Sequence, residues 1–366
     1  MNEPQATTTT EGSLQAGLIL PVGRAGNWDS AQLSNPRVIR LGATDWRMWY
    51  YGRDPDFDPL VRLPTGRIGL AVSTDGRHWQ RVTGSATRGA VMDPAPDPDR
   101  FDSAHIGVGD VHATADGFEM WYFGGPQNVQ QLGELTFNGF PLRIGHATSR
   151  DGEHWQRNSG PFSGAILNHG APGEADAFMV GWPQVLQLSA KVRRMYYHSV
   201  NPFTNKFFIC AAESVDGGDW KKLGVIFGPG EPDAFDEDGP ATRHVIRRGD
   251  EFLMFYEGFR EQRASIGLAQ SADGLSWTRV PGAAARGAIF APAEAEPGAW
   301  DSGAVGTPWV LQAPDGGLLM YYVGAGYRGE DFDDLVEAEA SAVHQIGLAT
   351  CNGEDLTRWA RWQACD

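Results

Sequence analysis

Apolar residues in this chain come in short runs broken by Gly, Asp, Asn and Pro, and the runs repeat in a fixed order. An aromatic residue or Ala precedes Asp, and a Val stands ten positions after the first of the pair. This occurs at Trp28-Asp29…Val38, Phe101-Asp102…Val111, Ala175-Asp176…Val185, Phe235-Asp236…Val245 and Trp300-Asp301…Val310. Met-aromatic-Tyr follows, beginning at Met48, Met120, Met195, Met254 and Met320. An Ile-Gly-Leu-Ala-like run and then Ser-x-Asp-Gly-x-x-Trp end each unit, from Ile68 to Trp79, Ile144 to Trp155, Ile209 to Trp220 and Ile266 to Trp277. A degenerate fifth copy runs from Ile346 to Trp359. The Asp landmarks lie 73, 74, 60 and 65 residues apart.

Each unit reads as four short strands, the last two joined at Asp-Gly, where Gly accepts the positive φ of a primed hairpin turn. Five four-stranded antiparallel units predict an all-β fold, a five-bladed β-propeller, in which stacked blades bury one another's faces. Gly89-Ala90-Val91-Met92 follows Trp79 and has equivalents at Gly164, Gly224 and Gly287, but not after Trp359. Gly17-Leu18-Ile19-Leu20 supplies the missing copy, so the N-terminal strand is expected to complete the last blade. Residues 1–13 read as a flexible tail and 14–366 as one domain.

Composition changes the picture little. The 366 residues include 47 Gly and 13 Trp, material for hairpin turns and for packing between sheets. A net charge of −16 makes nucleic acid and anionic membrane poor partners. No apolar run approaches the ~20 residues that span a bilayer, and no signal peptide is visible at the start. Three cysteines without metal or redox spacing fit the reduced cytoplasm. No cofactor and no metal site is expected.

Residues present in every blade read as scaffold. The aspartates Asp29, Asp102, Asp176, Asp236 and Asp301 are expected to satisfy turn N–H groups. Chemistry is better sought where one blade departs from its siblings. The column before each Val holds Arg37, Asp110, Gln184, His244 and Trp309, and two positions earlier stand Asn35, Val108, Trp182, Thr242 and Thr307. Period-two alternation places both columns toward the central channel. After Met-aromatic-Tyr, three blades carry Tyr51, Phe123 and Val323, but blades 3 and 4 carry His198 and Glu257. Glu257 is the sharpest anomaly, with pairing to Arg37 or Arg243 as its structural alternative. His105 of blade 2 and Asp238 of blade 4 stand nearby in sequence. Long, variable loops between the second and third strands, from Arg53, Gly125 and Ala325, mark the same face, with acidic residues Asp331, Asp333 and Asp334 in the last.

The run MWYYG…RIGLAVSTDGRHWQRV, its four siblings and the count of five resemble the arabinanase/levansucrase/invertase superfamily of sugar-processing propellers. That superfamily includes glycoside hydrolase families 43, 32, 68 and 130, and the resemblance spans residues 14–366. It implies two Asp and a Glu around the central channel, as base or nucleophile, as pKa-tuning acid and as general acid. Here the Asp that precedes Pro in blade 1 is Asn35. The later Asp-Pro position is Trp182-Pro183 or Val108-Gly109, and the Glu position is Gly181 or Ala241. The expectation is therefore a carbohydrate-active enzyme with relocated acids, acting on a small sugar or glycoside. Asp110 and Glu257 form the acid/base pair and Asp238 tunes them. Asn35, Arg37, His105, His198 and His244 hold substrate, and Trp182 stacks on a sugar ring. The alternatives are a propeller adapted to other acid–base chemistry on a small molecule, and a catalytically silent binding propeller.

Overall fold

The computed structural model describes residues 15–55, 66–132, 135–294, 298–327 and 342–363. The expected tail at 1–13 and the acidic residues Asp331, Asp333 and Asp334 lie outside them. Among the described residues the strands form five antiparallel sheets and one small two-stranded hairpin, with almost no helix. Blade 1 comprises Gln32–Arg40, Trp46–Arg53, Gly66–Ser73 and Gln80–Arg81; blade 2 comprises His105–Thr114, Gly117–Gly125, Arg143–Ser149 and Gln156–Arg157. Blade 3 comprises Gly181–Gln187, Val192–Asn201, Lys206–Val215 and Lys221–Phe227; blade 4 comprises Gly239–Arg248, Glu251–Arg260, Arg263–Ser271 and Thr278–Val280. The innermost strand of each sheet packs against that of the next, and Ala304–Gln312 of blade 5 packs against blade 1, closing the ring.

Closure follows the sequence expectation. Leu18–Leu20 pairs with Ala342–Cys351, the third strand of blade 5, placing Leu20 opposite Ile346. Met92, Leu167 and Phe290 form the same bridge to Ile68, Ile144 and Ile266 in their own blades. Ala360–Arg361 pairs with the other half of that strand, so both ends of the chain complete one blade.

The core is a series of wedges between neighbouring blades. Trp28, Trp46, Tyr50 and Tyr321 fill the wedge between blades 5 and 1, and Trp49, Phe101, Met120 and Tyr122 fill that between blades 1 and 2. Cutting a fully buried Trp such as Trp49 to Ala would cost about 3–5 kcal/mol. The Gly of each Ile-Gly run admits the leading aromatic. A Cβ at Gly69 would come within 2.2 Å of the Trp28 ring, and one at Gly267 within 2.2 Å of Phe235.

The repeated aspartates do more than serve turns. In every blade the Asp accepts a hydrogen bond from the Tyr of Met-aromatic-Tyr and meets a base on the outermost strand, at 2.6–3.1 Å. The sets are Asp29 with Tyr50 and Arg81, Asp102 with Tyr122 and Arg157, Asp176 with Tyr197 and Lys222, Asp236 with Tyr256 and Arg279, and Asp301 with Tyr322 and Arg361. This corrects the turn expectation: the carboxylate ties the outer strand, only two or three residues long in blades 1, 2, 4 and 5, to its own blade. No described helix is long and apolar enough to cross a membrane.

Candidate functional site

Each inner strand slips register by one residue at the same level of the ring, between Ser34 and Arg37, Val108 and Asp110, Gly181 and Gln184, Pro240 and Arg243, and Gly306 and Trp309. Such bulges kink a strand and re-aim its side chains. At three of the five the bulged residue precedes Pro and takes a left-handed backbone: Asn35 at φ 57°, Trp182 at 49° and Thr307 at 46°. A β-branched or bulky residue there is strained, and strain of this kind persists where the surrounding structure holds it. The slip also interrupts the alternation that placed Asn35 and Arg37 on one face.

Below the bulges, the column of Arg37, Asp110, Gln184, His244 and Trp309 forms a circle of staples. Arg37 Nε donates to the Gly109 carbonyl of blade 2. Asp110 Oδ2 accepts from Val185 N of blade 3 at 2.8 Å. Gln184 exchanges two 2.8 Å bonds with the Val245 backbone of blade 4. His244 Nδ1 accepts from Val310 N of blade 5 at 2.9 Å, which assigns the ring proton to Nε2. Trp309 Nε1 donates to the Val38 carbonyl of blade 1 at 2.9 Å. His244 lies flat on Trp309, centroids 3.8 Å apart, and burial holds its imidazole well below its ordinary pKa, helped by the charges of Arg37 and Arg243.

Above them, Glu257 is half-buried, and Thr242 Oγ1 donates to its Oε2 at 2.6 Å. Its other oxygen lies over blade 5 where Gly306 has no side chain; a Cβ there would meet Oε1 at 1.8 Å. Burial pushes the carboxyl up to about 7, against the Thr242 hydrogen bonds that favour the anion. Glu257 forms no ion pair with Arg37 or Arg243. On the neighbouring blade His198 holds the equivalent strand position. Trp182 is stacked between His198 and Phe123, at centroid distances of 4.6 and 4.1 Å. Burial, with the charge of Arg243, keeps the His198 ring neutral, and its Nδ1 has no hydrogen-bond partner among the described residues.

The other expected residues are placed differently. Asp110 does not contact Glu257. Its oxygens take Val111 N and Val185 N at 2.8 Å and His112 Nε2 at 3.2 Å, so it is a staple with its acceptors engaged. Asp238 sits on the rim, bonded to Lys206 Nζ at 2.7 Å and Glu261 N at 2.8 Å. Burial would raise its pKa, but these two partners outweigh it and the carboxyl stays below its ordinary range. His105 is packed against Tyr51 and Phe123 between blades 1 and 2. Asn35 donates from Nδ2 to the Val108 carbonyl, leaving Oδ1 without a described partner. No group of three or more His, Cys, Asp or Glu side chains among the described residues is arranged to hold a metal ion.

Two contributors were not named as site residues in the sequence, which offered Arg243 only as a pairing partner for Glu257. Arg243 occupies the position of Pro36, Gly109, Pro183 and Pro308 in the other blades, so a guanidinium replaces a column of Pro and Gly. Gly306, in a column of small residues, makes room for Glu257.

No family model matches the chain. In sequence it resembles the uncharacterized protein Rv1502 of Mycobacterium tuberculosis, 28% identical over 253 residues, covering 69% of this chain and 75% of that one. In structure it resembles a glycoside hydrolase at TM-score 0.63 and 19% identity, covering 92% of both chains. A thermostable family-43 glycoside hydrolase matches at TM-score 0.61 and 14% identity, covering 94% of this chain and 97% of that one. A glycosyl hydrolase from Bacteroides ovatus matches at TM-score 0.60 and 18% identity, covering 88% of this chain and 85% of that one. The five-bladed propeller fold is thus common to this chain and these hydrolases.

Proposed function

We propose that this propeller is a carbohydrate-active enzyme of the glycoside hydrolase type, working on a small sugar or glycoside in the cytoplasm. The observation that carries the proposal is Glu257, a half-buried carboxyl that burial raises to about 7, where three sibling blades have Tyr51, Phe123 and Val323 and one has His198. Cleaving a glycosidic bond requires a proton on the departing oxygen, and a carboxyl raised by burial still carries one at neutral pH. Glu257 is the proton donor, and the flat face of Trp182, fixed by Phe123 and His198, is the platform for a sugar ring.

A second reading rests on the engaged oxygens of Asp110 and Asp238. With no second carboxyl bonded to Glu257 among the described residues, the partner base in this reading is neutral His198, whose Nδ1 has no hydrogen-bond partner among them. That pair suits proton transfer on a small molecule without a glycosidic bond. Hydrolysis of aryl glycosides and oligosaccharides by wild type and Glu257→Gln separates the two. Reducing-sugar release lost in Glu257→Gln supports the first reading; no release from any glycoside sinks it and leaves the second.

A further inference from the structure

Burying a charge without an opposite partner is among the costlier arrangements in a fold. Arg37 and Arg243 are each 1% exposed, and neither forms a salt bridge among the described residues. Their hydrogen bonds go to carbonyls: Arg37 to Gly109 and Pro36, Arg243 to Trp182 and Tyr196. Arg37 Nη2 and Arg243 Nε and Nη1 have no partner among those residues. Blades 1 and 4 are not neighbours, yet the two guanidiniums converge: Arg37 bonds the Gly109 carbonyl, a Cβ on Gly109 would fall 2.3 Å from the Pro183 ring, and Arg243 bonds the carbonyl of Trp182 just before that ring. Arg37 is further fixed against the Trp309 ring, 4.6 Å from its centroid.

Nearby charge does not cancel them. The field of Asp110 reaches both arginines, but its oxygens belong to the staples. His198 and His244 are neutral, and Glu257 bonds to Thr242. Burial lowers Arg37 to about 10 and Arg243 to about 9, so both remain cations at neutral pH. A chain with a net charge of −16 therefore concentrates positive charge at its axis.

We infer that the channel contains an oxyanion subsite, in which the free nitrogens of Arg37 and Arg243 grip a carboxylate or phosphate group on the ligand. Planar guanidinium donors suit both groups. The inference rests on the channel being the ligand site and adds the substrate's charge: an acidic or phosphorylated sugar rather than a neutral one.

Calorimetric titration of the full chain at pH 7 and low ionic strength tests it, with D-glucose, D-glucose 6-phosphate, D-glucuronate and inorganic phosphate as probes. At least tenfold tighter binding of one or more anions than of D-glucose is expected, weakening with added salt. The phosphate and glucuronate arms tell which oxyanion is preferred. Arg37→Gln and Arg243→Gln should each reduce that affinity tenfold or more. Since both arginines also bind backbone, thermal unfolding of each variant is compared with wild type, and the wild-type comparison needs no variant. Equal binding of D-glucose and the anions, or no anion binding, overturns the subsite. Anion binding without glycoside cleavage defeats only the hydrolase reading, and cleavage of neutral glycosides without anion affinity defeats only the subsite.

Discussion

The Thr242 hydroxyl and the Glu257 carboxylate, on adjacent strands of blade 4, meet at 2.6 Å beside the bare Gly306 of blade 5. The geometry needs all three residues. A methyl at Gly306 would fall 1.8 Å from Oε1, closer than any contact allows. Gly306→Ala is therefore expected to displace the carboxyl and cost about 1–3 kcal/mol of stability by overpacking. Urea denaturation reads the stability, and glycoside turnover should fall toward that of Glu257→Gln. Unchanged turnover would mean that the carboxyl's position is irrelevant to activity.

Glu257 also sets a pH dependence with a definite sign. Its folded pKa, about 7, lies above the ordinary 4.5. Between these values the unfolded chain loses a proton that the folded chain keeps, so stability falls as pH rises through that window. At 1.36 kcal/mol per unit the full effect is at most about 3 kcal/mol. Glu257→Gln should remove this slope and be more stable than wild type at pH 8. His198 and His244 act oppositely: buried neutral, they favour unfolding as pH drops below about 6.5. Denaturation midpoints of wild type and Glu257→Gln at pH 5, 6.5 and 8 check both signs.

The staple circle predicts that a polar residue at the axis acts on folding before chemistry. Gln184→Ala strands both the N–H and the carbonyl of Val245, at a cost of about 2–4 kcal/mol. Asp110→Ala should cost at least as much, since Val111 N and Val185 N lose their acceptor. Denaturation of the two variants, with Gln187→Ala on an exposed strand end as control, measures it. A loss no larger than the control's would refute the structural role.

The candidate site is only half legible in the sequence, for physical reasons. Five repeats of three landmarks contain the blade count, and Gly17 to Leu20 contains the closure, because each motif does one local job. Glu257 stood out because it broke a column whose other members pack. The residues before each Val also broke symmetry, but their variety reflects five solutions to one bridging task. A one-residue bulge at Asn35 separates columns that alternation joins. Arg243 is visible in the sequence only as a partner for Glu257, although its replacement of Pro or Gly is a readable signal of its own.

Ring closure can be tested at Leu20, which is 2% exposed and opposite Ile346. Leu20→Asp buries a carboxylate in the seam between the first and last parts of the chain. Loss of cooperative thermal unfolding, or a melting temperature about 10 °C or more lower, is expected for a cost of several kcal/mol in a chain of this size. Calorimetry reads it; an unchanged transition would show that the seam is dispensable.

The staples have one more consequence. Guanidinium, carboxylate, amide, imidazole and indole each fit only the backbone they meet, so the five junctions are not interchangeable. Near-identical blades risk docking in the wrong order or trading places between two chains during folding. A different lock at each junction tells every blade which neighbour is its own.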